Sequence, residues 1–478
     1  MRMFIAGELS DSSSGQTTEI RNPATGDLVD TIPKATVEDM RRAIDAAQNA
    51  FAEWAALPAV ERAALMFKAA QTLREHVPEI AELLTREQGK TLLESRIETQ
   101  RLADNLDFFA GLHGALRGQH VEIAKPKAYG MVIRRPLGVV GAIVPWNFPL
   151  TLMANKICPA LVVGNTVVVK PASTAPLAIA RCVELINAVG FPAGVLNVVT
   201  GPGAVVGEEL IANPLVRKIG FTGETETGKH VMAQASKELK HVTLELGGSD
   251  PMIVCDDANL DEAVKAAGVG RFFNCGQACL AIKRLYLFEE IADQFIAGLK
   301  QNAEQRWRVG NGLDKDTRMG PLHTAGQREE VEKMVQEVLD RGAHVVSGAK
   351  RPEGEQFERG NFYLPTLLTN VPEDAVIATE ECFGPALPIF RVEGLDEAIE
   401  KANNSKYGLG SSIWTTDIKT AHIAAERLEA GYTWVNSLQI AVDELPFGGT
   451  KQSGFGKEHG TEVLDYYTEQ KSVMVGAV

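Results

Sequence analysis

The stretch VVGAIVPWNFP, residues 139–149, decides the fold of this chain. Its first six residues form a short apolar run closed by Pro145, as expected for a buried strand. Comparable runs alternate with helical patterns further along the chain. The runs lie at 166–170, 196–200, 218–221 and 242–246, and the helical patterns lie near 174–189, 203–212 and 226–236. This alternation predicts an α/β fold with a parallel, doubly wound sheet and helices on both faces.

The sequence on either side extends this scheme. Helical patterns fill the first quarter of the chain, and strand and helix signals alternate again after Asp250, which predicts a second α/β domain. Two β-prone segments, Ala128–Arg135 and Tyr466–Val475, fall outside both alternations. We expect them to form a small separate sheet that is buried in an oligomer, because an exposed β-prone chain end promotes aggregation.

The length and charge of the chain indicate how many domains it has and which partners it does not bind. A chain of 478 residues is too long for one ordinary core and predicts two or three domains. Its formal charge of −14 disfavours nucleic acids and anionic membrane surfaces as partners. No apolar segment reaches the roughly 18 to 20 residues that span a bilayer, and the N-terminus lacks the order of a signal peptide. We therefore expect a cytoplasmic protein that does not bind membranes.

The cysteines and histidines do not indicate a metal site. The six cysteines form no CxxC pair, and the nine histidines form no HExxH motif. We therefore expect reduced thiols, as in the cytoplasm, and no bound metal.

Two glycine-marked turns join predicted strands to predicted helices. In the first, Gly203 and Gly207 lie in a GxGxxxG pattern, one residue longer than the dinucleotide fingerprint. In the second, Gly223 and Gly228 flank the start of a helix, where free N–H groups and the helix dipole can receive a pyrophosphate. Either turn alone also fits an ordinary loop. Two in succession at the carboxyl edge of a sheet indicate a dinucleotide site.

A thiol and a carboxylate form the candidate catalytic pair. Cys279 ends the segment that begins at Asn274, and Glu245 closes an apolar run just before Gly247. A cysteine can act as a nucleophile and a glutamate as the base that activates water. Asn147, just past a strand, can donate to an oxyanion. Taken alone, Cys279 equally fits buried packing, and the other two side chains fit turn residues.

Seven motifs occur in an order that resembles the NAD(P)-dependent aldehyde dehydrogenases, and they span nearly the whole chain. They are PWNFP at 145–149, Lys170-Pro171, Phe221-Thr222-Gly223, Glu245-Leu246-Gly247-Gly248, NxGQxC at 274–279, ECFGP at 381–385 and PFGG at 446–449. The resemblance implies the fold of that family, with three parts. These are an NAD(P)-binding domain of residues 1–117 and 138–246, a catalytic domain of residues 247–447, and a β oligomerisation element of residues 118–137 and 460–478. It also implies a homodimer or homotetramer.

The resemblance assigns the chemistry to three residues. Cys279 would attack the aldehyde carbon, while Asn147 and the Cys279 backbone N–H would stabilise the oxyanion. Hydride transfer to NAD or NADP would then leave a thioester. Glu245 would activate the water that hydrolyses it, which favours a free carboxylic acid over transfer of the acyl group to coenzyme A. Lys156 and Glu458 match a pair assigned to proton relay.

A larger set matches the cofactor-binding positions of the family. It comprises Pro145, Trp146, Lys170, Ser173, Gly203, Gly207, Phe221, Thr222, Gly223, Gly228, Leu246, Glu381 and Phe383. Lys170 would bind the adenosine ribose, Glu381 the nicotinamide ribose, and Phe383 the nicotinamide. Strictly NAD-dependent relatives often carry Glu at the position of Ser173, so we predict that NADP is accepted alongside NAD. Glu224 stands where many relatives have Ser, and we expect it to turn away from the pyrophosphate.

The residues that match the substrate funnel are mainly apolar. They are Phe148, Leu152, Asn155, Phe273, Leu280, Ala441 and Phe447. Succinate-semialdehyde dehydrogenases usually carry arginines at the positions of Asn155 and Phe273, and burial of a remote carboxylate without them is costly. We therefore expect an aliphatic, aromatic or hydroxylated aldehyde. The alternatives are a succinate-semialdehyde dehydrogenase, a nonenzymatic nucleotide-binding relative, and a cysteine hydrolase or acyltransferase.

A second thiol lies close to the candidate nucleophile in sequence. Cys275 precedes Cys279 in the same short segment. Packing is the plain interpretation, because a disulfide needs Cα atoms within about 7 Å and suitable Cβ directions. A reversible oxidative switch between the two thiols is the alternative hypothesis.

Overall fold

Two large β-sheets, each flanked by helices, make up most of the protein. The computed structural model describes residues 1–124 and 128–476. The strands up to residue 245 are β1 (Met3–Ile5), β2 (Glu8–Ser10), β3 (Thr17–Arg21), β4 (Leu28–Pro33), β5 (Gln119–Glu122), β6 (Ala128–Pro136), β7 (Val139–Val144), β8 (Thr166–Pro171), β9 (Leu196–Val198), β10 (Val216–Thr222) and β11 (His241–Glu245). The helices of this part are α1 (Val37–Ala56), α2 (Ala59–Glu75), α3 (Val77–Gln88), α4 (Leu92–Gly111), α5 (Pro149–Val163), α6 (Leu177–Ala188), α7 (Glu208–Ala212) and α8 (Thr225–Ala235).

The rest of the chain repeats the mixture of strands and helices. Its strands are β12 (Asp250–Val254), β13 (Ile282–Phe288), β14 (His344–Ser347), β15 (Thr366–Thr369), β16 (Ala386–Val392), β17 (Tyr407–Gly408), β18 (Gly410–Trp414), β19 (Tyr432–Val435), β20 (Thr450–Lys451), β21 (Gly454–Phe455) and β22 (Thr468–Gly476). Its helices are α9 (Leu260–Phe272), α10 (Glu289–Arg306), α11 (Ala325–Asp340), α12 (Val376–Thr379), α13 (Leu395–Asn403) and α14 (Ile418–Arg427).

The first large sheet has the strand order β2-β1-β9-β8-β7-β10-β11-β21. Strands β9, β8, β7, β10 and β11 run parallel, which confirms the predicted arrangement. Val167 and Val169 pack into one apolar core with α5, whereas Val168 packs into the opposite core with α1. Both faces of β8 are thus buried, as parallel sheets require. The carboxyl ends of β7, β8, β10 and β11 meet at one edge of the sheet.

The second large sheet has the order β14-β15-β16-β13-β12-β18-β19. All its pairings are parallel except that of β14 with β15. The predicted second α/β alternation is therefore present. The predicted boundary at residue 247 falls between β11 of the first sheet and β12 of the second.

A separate three-stranded sheet has the order β22-β6-β5. Strands β6 and β22 pair antiparallel along their full lengths, from Pro136 opposite Thr468 to Ala128 opposite Gly476. The two β-prone segments therefore pair with each other, as the sequence indicates. Tyr129, Ile133 and Met474 on this sheet are exposed.

Two helical segments of the first part of the chain differ in detail from what the sequence predicts. The helix predicted over 203–212 is a single π-helical turn, Gly203–Gly207, followed by the short α7. Glycines at both ends of that turn disfavour a regular α-helix. The helical pattern of the sequence also did not predict α3. Only His76 separates α3 from α2, and no glycine-rich or polar loop marks the break between them.

Two classes of feature are not found in the part of the chain that the structure describes. Within it, no helix combines the length and apolarity needed to cross a membrane. Across the same residues, 1–124 and 128–476, no group of His, Cys, Asp and Glu side chains is arranged to hold a metal ion.

Candidate active site

The thiol of Cys279 follows a left-handed turn between α9 and β13. Asn274, Cys275 and Gly276 have φ angles of 50°, 57° and 72°. Left-handed non-glycine residues cost roughly 1–2 kcal/mol each, so this turn needs external support. The support comes from Glu94 of α4, whose Oε1 accepts a 2.7 Å hydrogen bond from the Asn274 backbone N–H.

Cys279 opens into a cluster of apolar side chains. Its neighbours there are Leu280, Leu409, Tyr432, Trp434, Ala441 and Phe447. The side chain is partly exposed, yet its poorly solvated surroundings raise the pKa of the Cys279 thiol to about 12. The nearby Lys283 ammonium lowers the same pKa without overcoming the burial. The thiol at rest is therefore protonated, and a base must take its proton for attack.

Asn147 lies just past β7 with its amide beside the nucleophile turn. Its Nδ2 lies 3.3 Å from the carbonyl oxygen of Gln277, two residues before Cys279. The Asn147 carbonyl oxygen accepts hydrogen bonds from Lys90 Nζ at 2.7 Å and Asn274 Nδ2 at 2.9 Å. The segment that carries Asn147 is thus tied directly to the turn that carries the thiol.

Helix α4 and Lys90, two residues before it, hold both segments through buried charges. Lys90 Nζ pairs with Glu98 Oε2 at 2.5 Å, and Glu98 Oε1 accepts from the backbone N–H of Leu150 at the start of α5. The sequence reasoning missed Lys90, Glu94 and Glu98. Glu94 and Glu98 lie four residues apart on one face of α4, but a charged face is usually exposed to solvent. Here all three are buried.

Replacing Asn147 with Ala is expected to lower turnover about 10²–10³-fold, because one donor to the developing oxyanion is lost. The affinity for the dinucleotide should change little. Asn147→Asp keeps the size but places an acceptor and a negative charge at the oxyanion, so it should lose at least as much. Steady-state rates and calorimetric titration with NAD measure both quantities. Turnover of Asn147→Ala within threefold of wild type would exclude the oxyanion role.

Glu245 ends β11 as a buried carboxylate. Its Oε2 atom has no hydrogen-bond partner among the described residues. Burial raises the pKa of Glu245 well above its usual range, and the nearby Glu458 carboxylate raises it further. A Cβ atom at Gly448 would lie 2.5 Å from Glu245 Oε1, so only glycine leaves room for this carboxylate. An unpaired, poorly solvated carboxylate of this kind is suited to accept a proton.

A second buried network contains the predicted relay pair. Lys156 Nζ lies 2.7 Å from Glu458 Oε1 and donates to Thr222 Oγ1 at 2.6 Å. Asn155 Nδ2 donates to Glu458 Oε2 at 2.8 Å. The hydroxyl of Thr222 and the amide nitrogen of Asn155 therefore both take part in this network, while Asn155 Oδ1 has no hydrogen-bond partner among the described residues. The cofactor role of Thr222 and the funnel role of Asn155 stay predictions.

The other predicted cofactor residues of the first sheet lie at its carboxyl edge. Lys170 is the second-last residue of β8, and burial, with no carboxylate among the described residues to offset it, lowers the pKa of Lys170 to about 8. Gly228 is needed where α8 approaches β11, because an added Cβ would lie 2.4 Å from Leu246. Ser173 Oγ donates to the Gly201 carbonyl at 2.8 Å. Glu224 is exposed and makes no capping hydrogen bond, and its orientation relative to a bound pyrophosphate stays a prediction.

The glycine turns and aromatic side chains complete this edge. Pro145 and Trp146 follow β7, Phe221 and Gly223 lie at the junction of β10 and α8, and Gly203 and Gly207 bound the π-helical turn. Trp146 stacks on His323 at 4.6 Å and meets the edge of Phe383 at 5.6 Å. His323, which sequence reasoning missed, also contacts Thr174 Oγ1 at 2.8 Å. An uncompensated buried ammonium, glycine-lined turns and a free helix N-terminus fit a dinucleotide.

The predicted funnel residues separate into two groups. Phe148 and Phe273 stack with ring centroids 6.2 Å apart, whereas Leu280, Ala441 and Phe447 pack with Cys279. Leu152 is buried on α5. Tyr432 and Trp434 on β19 complete the second group, with ring centroids 4.3 Å apart. Sequence reasoning missed them, because an alternating aromatic pair in a strand equally indicates core packing.

The two neighbouring thiols lie in different surroundings. Cys275 belongs to the core of the second large sheet, whereas Cys279 belongs to the funnel cluster. Burial also raises the pKa of Cys275 beyond that of an accessible thiol. The packing interpretation of Cys275 is therefore the one that the geometry supports.

The chain is similar to known proteins over nearly its full length. Residues 10–473 match the sequence model of the aldehyde dehydrogenase family. Betaine aldehyde dehydrogenase of Bacillus subtilis (strain 168) is 41% identical over 473 residues, covering 98% of this chain and 96% of the relative. Succinate-semialdehyde dehydrogenase (NADP+) GabD of Escherichia coli (strain K12) is 40% identical over 473 residues, covering 99% and 97%.

A solved structure agrees with these sequence relationships. Betaine aldehyde dehydrogenase from Staphylococcus aureus, in complex with NAD+, superposes with a TM-score of 0.96 at 36% identity. The match covers 99% of this chain and 94% of that chain. The shared fold, the full-length sequence match and the grouping of thiol, carboxylate and glycine turns lead to one assignment: this chain belongs to the aldehyde dehydrogenase family.

Proposed function

We propose that the protein oxidises an aldehyde to its carboxylic acid and reduces NAD or NADP. Cys279 is the nucleophile, and Glu245 is the base that activates water. The observation that carries this proposal is the buried Glu245 carboxylate, which has an unpartnered oxygen and lies close enough to raise the pKa of Cys279. A purely structural carboxylate in such a place would have its oxygens paired.

The first chemical step is addition of sulfur to the carbonyl carbon. The thiol loses its proton, the S–C bond forms, and the carbonyl π electrons move to oxygen. Glu245 can accept that proton, because its raised pKa brings it closer to the raised pKa of the thiol. Asn147 Nδ2 and the Cys279 backbone N–H then stabilise the negative oxygen.

The dinucleotide, when bound, supplies the hydride acceptor that converts this adduct to a thioester. Lys170, the glycine turns and the start of α8 would hold it on the first sheet, and Glu381 and Phe383 on the second. Once the thiol proton has passed from Glu245 to solvent, Glu245 removes a proton from water, and the oxygen attacks the thioester carbon. The C–S bond breaks, the acid leaves, and sulfur regains a proton. Lys156 and Glu458 pair with each other, and their charges act on Glu245, so they form the proton path in this mechanism.

The substrate supported best is an aldehyde without a remote carboxylate. The cluster around Cys279 consists of aromatic and aliphatic side chains. Arg101 reaches the same region, but it donates to Asp443 Oδ1 at 2.7 Å and to the Ala441 carbonyl at 3.0 Å. Its charge is therefore balanced within the protein. Transfer of an unpaired carboxylate into such surroundings is costly.

A panel of aldehydes tests this preference. Short aliphatic, aromatic, hydroxylated and carboxylated aldehydes are compared by kcat/KM with each nicotinamide cofactor. We expect an uncharged aldehyde to lead and succinate semialdehyde to be at least about tenfold poorer. Succinate semialdehyde as the best substrate would instead support the alternative suggested by the relative GabD. Absence of any aldehyde-dependent cofactor reduction would support a nonenzymatic protein.

Replacing Ser173 with Glu is expected to raise the preference for NAD over NADP at least tenfold, because a carboxylate there repels a 2′-phosphate. The wild-type protein has only a hydroxyl, which donates to the Gly201 carbonyl. Wild-type kcat/KM values for the two cofactors should therefore differ by less than about a thousandfold, roughly 4 kcal/mol. A larger difference, or no change in the Glu variant, would refute this basis for cofactor choice. Ser173→Gln keeps the length without the charge and serves as the control.

The β5–β6–β22 sheet is proposed as the oligomerisation element. Its exposed Tyr129, Ile133 and Met474 leave an apolar surface that a second subunit can cover. In this assignment the first large sheet is the NAD(P)-binding domain and the second is the catalytic domain. Size measurement in solution of wild type and Met474→Glu distinguishes a monomer from a dimer or tetramer formed through this sheet.

A further inference from the structure

A buried lysine, Lys283, contacts the backbone of the candidate nucleophile Cys279. Lys283 is the second residue of β13 and has no solvent exposure. Its Nζ donates to the carbonyl oxygens of Ala278 at 2.9 Å and Cys279 at 2.5 Å. The same Nζ lies 2.9 Å from Glu381 Oε1. An ammonium has three N–H donors, and all three have acceptors here.

Glu381 is oriented by its contact with Lys283 and by the backbone of the turn that follows β11. Its Oε1 also accepts from the Gly248 N–H at 3.1 Å. A Cβ at Gly247 would lie 2.5 Å from Glu381 Oε2, so the glycine leaves space for that oxygen. One oxygen is therefore fixed by the protein, and the other has no described hydrogen bond.

The charge of Lys283 needs an explanation beyond packing. Burying an ammonium is expensive, and a neutral donor would satisfy the two carbonyls at lower cost. The charged groups that act on Cys279 are Lys283 on one side and the carboxylates of Glu381, Glu245 and Asp250 on the other. Lys283 is the group in that set that favours the thiolate.

We propose that Lys283 is a positioning residue that ties the Cys279 turn to Glu381, so that one buried cation controls both thiol reactivity and binding of the dinucleotide. This inference rests on the proposed function, in which Cys279 is the nucleophile and Glu381 meets the cofactor. Lys283 acts on the thiol through its charge and through the Cys279 carbonyl. It acts on the dinucleotide through the orientation of Glu381.

The test uses Lys283→Met, which keeps the length and removes the charge. The first measurement is the rate of alkylation of Cys279 by iodoacetamide in the cofactor-free enzyme as a function of pH, with the site verified by peptide mass spectrometry. We expect the alkylation rate at each accessible pH to fall about tenfold or more, because loss of an opposite charge near a titrating thiol raises its pKa by about one unit or more and lowers the thiolate fraction accordingly. The second measurement is calorimetric titration with NAD, for which we expect affinity to fall about fivefold or more.

Glu381→Gln and the double variant show whether the effect passes through Glu381. In that background, Lys283→Met should change NAD affinity little, whereas the fall in alkylation rate should persist. An equal loss of NAD affinity in both backgrounds would overturn the link to Glu381. Lys283→Gln retains a hydrogen-bond donor without charge, and it should show the same changes if Lys283→Met does not fold.

Lys218→Met is the matched control for removal of a buried lysine. Lys218 is also unexposed, but it lies on β10 and donates to Thr243 Oγ1. It should leave the alkylation profile and NAD affinity unchanged. If a folded Lys283→Met variant kept the wild-type alkylation rate and NAD affinity, the inference about Lys283 would be overturned, but the proposed function would not. A wild-type protein that neither binds NAD nor is alkylated at Cys279 would instead contradict the proposed function.

Discussion

Replacing Cys279 with Ala is expected to reduce aldehyde oxidation by about 10⁴-fold or more, because no covalent adduct can form without the sulfur. Hydrolysis of activated esters at the site should fall with it. Binding of NAD should be retained, since the predicted dinucleotide contacts lie on other residues. Steady-state cofactor reduction, esterase assays and calorimetric titration measure these three properties in the same preparation.

Cys275→Ala is the matched control. This thiol lies in the same turn but is packed in the core of the second sheet. We expect its turnover to stay within about threefold of wild type, with a modest loss of stability. Retained oxidation in Cys279→Ala would contradict the account. Loss of aldehyde oxidation in a well-folded Cys275→Ala variant would mean that Cys279 has been wrongly identified as the nucleophile.

Replacing Glu245 with Gln is expected to lower steady-state turnover about 10²–10⁴-fold, because the amide cannot accept a proton from water. The first turnover should be slowed less than the later ones, because the Cys279 thiol can also lose its proton to hydroxide, whereas hydrolysis of the thioester needs the water that Glu245 activates. Glu238→Gln changes an exposed carboxylate and should leave turnover unchanged. A Glu245→Gln variant with wild-type steady-state turnover would remove Glu245 from the reaction.

The pH dependence follows from the raised pKa of Glu245. Burial comes first among its causes, followed by the Glu458 carboxylate. The base acts in its ionised form, so wild-type turnover should rise as pH increases through this raised pKa. The same rise should be absent from Glu245→Gln.

The same pKa shift has a consequence for stability. A carboxyl whose pKa is raised on folding stabilises the folded state at low pH, and this contribution is lost as pH rises through the folded-state pKa. Glu245→Gln should therefore melt at least as high as wild type at alkaline pH. A marked decrease in melting temperature would indicate that Glu245 has a structural role.

The sequence was sufficient where local patterns carry the information. Alternation of apolar runs and helical segments predicted the parallel sheet from Val139 to Glu245. Glycine-marked turns after its strands predicted the edge where Gly203 and Gly223 lie. These features depend on neighbours within a few residues, so periodicity and turn chemistry reveal them.

The support of the site could not be predicted in the same way. Glu94 holds the backbone of Asn274, and Lys90 holds the carbonyl of Asn147, across long separations in sequence. Charged side chains that repeat at helical spacing are usually exposed to solvent, and the neighbouring sequence carries no signal that these are buried. Tyr432 and Trp434 lie on β19, the edge strand of the second large sheet, and pack beside Cys279. Only the tertiary fold brings these distant parts of the chain together.

Cys279 and Glu245 act in succession in this mechanism, so loss of Glu245 should cause the acyl-enzyme on Cys279 to accumulate. Glu245→Gln is mixed rapidly with a preferred aldehyde and NAD, quenched with acid, and analysed by mass spectrometry while reduced cofactor is recorded by stopped flow. We predict that about one reduced cofactor per subunit forms before the steady state, more slowly than in wild type because Glu245 also takes the thiol proton, together with an acyl adduct on the Cys279 peptide that decays more slowly than it forms. A slow reaction with no burst and no adduct on Cys279 would contradict the account.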